Sequence, residues 1–205
     1  MGLVKIKKPA TMEIRIMRIV KEILLFIWEV SKIVIIAAVI VIPIRYFIFQ
    51  PFFVKGASME PNFSNGDYLI VDELSYHFRE PKRGEVVVFK SPNKTSQMYI
   101  KRIIGLPGET VEIKDGKIIV YSTPFSDGSF LDESEYLSYN VYTPGEMRIS
   151  LGDNEYFVLG DNRSYSSDSR IWGPLIREDI IGRVVFRPWP ITAVAAIHTP
   201  GYFKE

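Results

Sequence analysis

Apolar and polar positions follow two regimes that meet near residue 50. Before it, polar residues recur at 15, 18, 22, 29 and 32, the spacing of one helical face. Lys5, Lys7, Lys8, Arg15, Arg18 and Lys21 outnumber Glu13 and Glu22 there, so residues 1–28 read as an amphipathic helix at a membrane surface; an ordinary solvated helix is the other reading. Ile33 to Ile44 is then unbroken apolar sequence, and the run resumes at Tyr46 after Arg45. The 20 residues from Val30 to Phe49 would span about 30 Å as a helix, the thickness of a hydrocarbon core. Residues 29–50 are therefore expected to cross a membrane, with Trp28 and Tyr46 at its two interfaces and Arg45 snorkelling outward. The cationic excess precedes the run, which puts the N-terminus in the cytoplasm and the rest outside. A cleavable signal peptide fits less well, because the run is long and no Ala-x-Ala site follows it. A buried core helix would not carry the aromatic flanks.

After Pro51 the period shortens to that of strands broken by turns. Gly66-Asp67 introduces Tyr68–Val71, and Gly84 introduces Glu85–Phe89. Val111–Lys114 faces Lys117–Val120 across Asp115-Gly116, the strongest hairpin signal in the chain. Glu155–Leu159 and Ile181–Arg187 complete the series, the latter closed by Pro188 and Pro190. Residues 91–97 read as a polar loop and 121–147 as an irregular, exposed insertion. Such a series predicts a mainly β domain, placed at 51–109 and 148–205 with a β insertion over 110–147.

With 205 residues the chain suits one such domain plus a membrane segment. A net charge of +1 speaks against nucleic acid as a main partner. The absence of cysteine excludes disulfides and thiolate metal sites.

Gly56-Ala57-Ser58-Met59-Glu60-Pro61 places a serine among small residues, where another backbone can approach closely. A hydroxyl is a weak nucleophile without a base. His77 and His198 are the only histidines, and neither lies in a sequence suggesting a site. Lys101, in Tyr99–Gly105, is the stronger candidate. To be half neutral at pH ~8 it needs an environment worth about 3.3 kcal/mol against its ammonium, which burial among apolar side chains can supply. On a strand, Lys101 and Arg102 point to opposite faces, so Arg102 can reach a carboxylate while Lys101 faces the site. A solvated pair on an edge strand is the plain alternative. Ser91-Pro92-Asn93-Lys94 matches Ser-x-x-Lys, but no Lys-Thr-Gly accompanies it. Gly160 through Arg170 packs two carboxylates, two guanidiniums, an amide, four serine hydroxyls and a tyrosine together. It reads either as an exposed polar loop or as a salt-bridged buttress that orients the base.

In order along the chain, Gly56–Pro61, Gly66–Val71, Lys101–Glu109 and Gly160–Arg170 resemble the type I signal peptidases, membrane-anchored Ser–Lys proteases that remove signal peptides. The resemblance covers nearly everything past residue 25. It implies a β-rich, SH3-like coiled sheet with a small β insertion. It implies Ser58 as nucleophile, Lys101 as general base and Ser166 as the hydroxyl that hydrogen-bonds the lysine. Asp161, Asn162, Arg163, Asp168, Ser169 and Arg170 match the family's structural loop, with Asp168 expected to pair with Arg102 or Arg170. Gram-negative members carry a serine where this chain has Gly56, as Gram-positive ones do. The oxyanion hole is then expected to rest on backbone N–H groups, chiefly that of Ser58; one such donor is worth about 2.7–4 kcal/mol where it is used.

The same resemblance implies acyl transfer on signal-peptide-bearing preproteins, with small residues preferred in an Ala-x-Ala pattern and no metal or organic cofactor. The substrate is expected to lie extended beside 52–58 and 99–104, at the outer face of the bilayer and near the export translocon. An inactive, tethered β module that binds extended peptides, and a protease maturing a single export substrate, are the rival readings.

Overall fold

The computed structural model describes residues 10–202 except 48, 93, 124 and 140. Lys5, Lys7, Lys8 and Asn93, and the side chains of Arg45 and Tyr46, lie outside the described residues. A first helix, α1, runs unbroken over Ala10–Phe47. No glycine or proline interrupts the sequence from Ala10 to Ile42, so nothing stops the helix at the expected boundary near 28. Ile14–Ile42 is the stretch long and apolar enough to cross a membrane. It begins well before Val30 because Arg15, Arg18, Lys21 and Glu22 are dispersed among large aliphatic residues. Ile14, Phe26, Trp28 and Ile33 are all exposed on this helix, a surface that water does not favour.

The rest, from Phe47 onward, forms a separate unit of two antiparallel sheets. Its strands are β1 (Phe49–Phe53), β2 (Tyr68–Asp72), β3 (Val86–Ser91), β4 (Lys94–Gly105), β5 (Thr110–Lys114), β6 (Lys117–Ser122), β7 (Phe125–Phe130), β8 (Met147–Ser150), β9 (Glu155–Leu159), β10 (Leu175–Ile176), β11 (Ile180–Trp189) and β12 (Ala195–Ala196). The larger sheet has the order β1-β2-β11-β3-β4-β9-β10, with β12 beside β11, and the smaller one β7-β6-β5-β8. The mainly β architecture with a small β insertion, expected from the sequence, is the one found.

Strand β3 is buried on both faces. Val86 and Val88 pack with Met59, Phe63 and Ile100, while Val87 and Phe89 pack with Ile103 and Tyr156. This explains its continuous Val-Val-Val-Phe sequence, since a strand covered on both sides has no polar alternation to keep. The smaller sheet packs Val111, Ile113, Ile118 and Val120 onto Phe157 and Leu159 of β9.

Two sequence expectations are corrected. Residues 94–97 are not a loop: β4 starts at Lys94, and Lys94 pairs with Ser91 at the end of β3. Residues 121–147 are not wholly irregular either. Strand β7 pairs Ile119 with Phe130 and Ser122 with Phe125, and β8 extends the smaller sheet to Ser150. Phe125-Ser-Asp-Gly-Ser-Phe is polar because β7 is an edge strand with little to bury.

Two edges position the site. Among the described residues, β1 pairs only with β2. β4 pairs with β3 along most of its length, but with β9 only from Arg102 onward. Among the described residues, the outer edge of β4 before Arg102 therefore carries no strand.

Candidate active site

Beyond β1, Val54 re-enters the core and Gly56 turns the chain with φ +92°, a conformation that L side chains rarely adopt. Asn65 Oδ1 accepts from the Gly56 N–H at 3.0 Å and closes this turn. Met59 and Phe63, 0% and 1% exposed, anchor the next turn, and Ser58 just before them keeps an intermediate exposure. The Ser58 N–H donates no hydrogen bond within the described residues, whereas that of Gly56 is committed. Gly56 thus shapes the turn, and the Ser58 amide is the one left to receive developing negative charge.

Strand alternation on β4 puts Tyr99, Lys101 and Ile103 on one face and Ile100 and Arg102 on the other. Lys101 Nζ donates to Ser58 Oγ at 2.7 Å and to the Ile100 carbonyl at 2.8 Å. The lysine is 3% exposed and makes no salt bridge among the described residues. Burial pushes its pKa down to about 8, against the opposing pull of Asp168 and then Asp161. An amine in that range is partly neutral at mildly alkaline pH. Once neutral, it can accept the Ser58 proton across the contact it already makes.

Arg102 is equally buried, and its Nε and Nη2 donate to the two oxygens of Asp161 at 2.8 and 2.7 Å. Burial opposes its charge, but Asp161 more than offsets this and raises its pKa. The ring of Tyr136 lies 4.0 Å from the guanidinium carbon, a cation–π contact in a dry site. Asn62 Nδ2 donates both to Asp161 Oδ2 and to the Tyr136 carbonyl, each at 2.8 Å.

Within residues 160–170, Asp161, Arg163, Asp168 and Ser169 are buried, while Ser164, Tyr165 and Ser167 are exposed. Asp168, fully buried, accepts from Arg170 Nε and Nη2, both at 2.8 Å, and from the Gly160 N–H at 3.0 Å. Of the two partners expected for Asp168, the structure thus supplies Arg170; Arg102 is taken by Asp161. Asp168 also caps the four-residue helix α2 (Ser169–Trp172), and Ser169 Oγ accepts from the Val158 N–H at 3.0 Å. Arg163 donates to both carboxylate oxygens of Glu133, at 2.8 and 2.5 Å, and to Thr143 Oγ1 at 2.8 Å. Asn162 ties the loop to the serine turn: its N–H donates to the Ser58 carbonyl and its Nδ2 to the Ala57 carbonyl, each at 3.1 Å.

Ser166 differs from what the resemblance implies. Its Oγ is buried, makes no hydrogen bond and does not reach Lys101. The side chain is turned toward Gly160, where any Cβ would collide with Ser166 Oγ and with the Ser58 carbonyl oxygen. His77 bonds the Glu73 carbonyl, and His198 lines a different cavity, beside Arg187; neither meets Ser58.

A cavity of about 580 Å³ opens in front of the Ser58–Lys101 pair. Phe52, Phe53 and Gly56–Ser58 form one wall, and Gln97–Lys101 the other, with Tyr165 and Ser167 beside them. Both walls are free strand edges, so an extended peptide can bond to either.

Glu133, Tyr136, Thr143 and Asn62 were not singled out by the sequence. Three of them come from the insertion, and no local pattern marks a contact across so much chain.

Residues 27–189 match the family described as "Signal peptidase, peptidase S26". A protein named "Signal peptidase I" from Leptolyngbya laminosa is 36% identical over 171 residues, 80% of this chain and 80% of its own. "Signal peptidase I T" of Bacillus subtilis is 38% identical over 174 residues, 78% of this chain and 86% of its own. "Probable signal peptidase I-2" of Synechocystis sp. is 36% identical, over 82% of this chain and 76% of its own. The chain belongs to the S26 signal peptidase family. It is a membrane-anchored enzyme, with α1 as the apolar helix.

Proposed function

We propose that the protein is a serine endopeptidase that removes signal peptides from exported preproteins, with Ser58 as nucleophile and Lys101 as general base. Neutral Lys101 takes the Ser58 proton as Oγ attacks the scissile carbonyl, and the Ser58 N–H receives the oxyanion. Lys101 then delivers the proton to the leaving amine, and the peptide bond breaks. Deprotonated again, it activates the water that releases the signal peptide from Ser58. Asp161, Asn162, Arg163, Asp168, Ser169 and Arg170 hold the two reacting groups in register, and Arg102, next to the base, is anchored by Asp161. The observation that carries this reading is the 2.7 Å contact between a buried, carboxylate-free lysine and a turn serine.

The signal side of the substrate lies between β1 and the free edge of β4, where the strand edges supply backbone bonds. Gly56 and Ala57 line the cavity beside Ser58, and small residues are expected at the cleavage point. Excess cationic residues before the apolar run support a cytoplasmic N-terminus. The catalytic domain then faces the extracytoplasmic side of the bilayer, where precursors leave the translocon.

Ser58→Ala and Lys101→Met, assayed separately on precursors in detergent, are each expected to lose 10²–10⁴-fold or more. Undiminished cleavage in either variant rules out the dyad. Binding without any wild-type cleavage would favour a peptide-binding module, and cleavage of one precursor among several a narrow maturation protease.

A further inference from the structure

A second cavity, of about 430 Å³, lies against the same two loops. The serine turn presents Gly56–Ser58 to the first cavity and Glu60 and Pro61 to the second. The 160s loop likewise presents Tyr165 and Ser167 to the first, Asn162 and Ser164 to the second. Ser58 lines the first cavity, and Glu60, two residues further on, lines the second. A substrate cut in mid-chain has to leave the serine on both sides, and the free strand edges account for one side only.

The far wall of the second cavity comes from the insertion, through Val141 and Tyr142. The Tyr142 ring rests on Gly116 at the tip of the β5–β6 hairpin, where a Cβ would occupy the ring's place. Beside it, the Thr143 N–H donates to the Gly116 carbonyl at 3.0 Å and fixes the strap. The ring is still 61% exposed. A held aromatic offers broad contact area at little cost in conformational entropy. The charges at the base of the cavity, Asp161 and Arg163, are already paired with Arg102 and Glu133. The Glu60 carboxylate has no hydrogen bond or ion pair among the described residues, while its N–H donates to the Ala57 carbonyl at 3.2 Å and buried Met59 next to it fixes where its backbone stands.

We propose that this cavity receives the first residues of the mature protein, just C-terminal to the scissile bond, and that Glu60 makes it discriminate against acidic residues there. The proposal rests on the reading of Ser58 as nucleophile. It gives the insertion a task, as the wall that reads the released half of the precursor.

The test uses the full chain in detergent and peptide substrates with one fixed signal side ending in Ala-x-Ala. In a first series the mature side grows one residue at a time. Binding energy gathered away from the reacting bond raises the rate, so kcat/KM is expected to climb about tenfold over roughly the first four residues and then level off. Tyr142→Ala should lose most of that climb. In a second series the second and third mature residues are Gln, Lys or Glu. Like charges in contact are unfavourable, so Glu substrates should be cut about fivefold less well than Gln substrates by the wild type. In Glu60→Gln that ratio should come within about twofold of unity. A rate indifferent to mature length, or a Glu penalty unchanged in Glu60→Gln, overturns the proposal. Cleavage surviving in Ser58→Ala would instead overturn the catalytic reading, since the ratios compare substrates within one enzyme and do not depend on which group attacks.

Discussion

Lys101 and Arg102 are consecutive cations on β4, both 3% exposed, yet only Arg102 meets a carboxylate. Strand geometry sends their side chains to opposite faces and so to opposite fates. One is held charged by Asp161. The other is left where losing its proton is easy.

This difference predicts an inverted stability effect for the base. Folding lowers the Lys101 pKa from 10.5 to about 8, so between those values the unfolded chain binds more protons and stability rises with pH. Below about pH 8 the full penalty applies, on the order of 3 kcal/mol before its two hydrogen bonds offset part of it. Lys101→Met should therefore abolish cleavage while raising the melting temperature at pH 7. That advantage should shrink as pH approaches 10.5, the ordinary lysine value. Calorimetry of both proteins across this range checks the sign; a variant less stable than wild type at pH 7 would contradict it.

Arg102 behaves in the opposite way. Removing its partner by Asp161→Asn leaves a guanidinium buried and unpaired, at a cost of about 3–5 kcal/mol. Denaturant unfolding should show the loss. A change below ~1 kcal/mol would mean that the pair is wetter than its exposure implies.

Gly160 makes a steric prediction. A single methyl added there would strike Ser166 Oγ and the Ser58 carbonyl oxygen. Gly160→Ala should cost about 1–3 kcal/mol of stability and lower cleavage by at least tenfold through a displaced Ser58. Chemical denaturation alongside precursor processing separates the two effects. Wild-type cleavage in this variant would show that the serine turn is free to move.

Much of this fold is written in local pattern. The Asp115-Gly116 hairpin, the strand before Gly160 and the valine run of β3 follow from turn residues and apolar runs that physics constrains nearby. β7 was not legible, because an edge strand with one shallow face needs no alternation to form. The helix Ala10–Phe47 was legible as apolar but not as continuous, since charges at helical spacing suggest a surface segment and do not by themselves break a helix. At the site, Ser58 stands among small residues that draw attention to it, whereas the local pattern of Lys101 fits a solvated edge strand equally well and the resemblance singles it out. The supports carry no such mark: Glu133 reaches Arg163, and Tyr136 reaches Arg102, only because the smaller sheet returns the chain to the 160s loop. Such contacts belong to topology and leave no trace in spacing. Ser166 stands between these cases, placed by motif beside the lysine, while its rotamer turns the hydroxyl toward Gly160.

The pH dependence of kcat/KM for one preprotein, measured from pH ~6 to ~10 in detergent, tests the central claim most directly. Activity that rises and reaches half its maximum near the Lys101 value of about 8 is the predicted result. A flat profile, or a midpoint close to the 10.5 of a solvated lysine, would contradict a buried amine acting as the base.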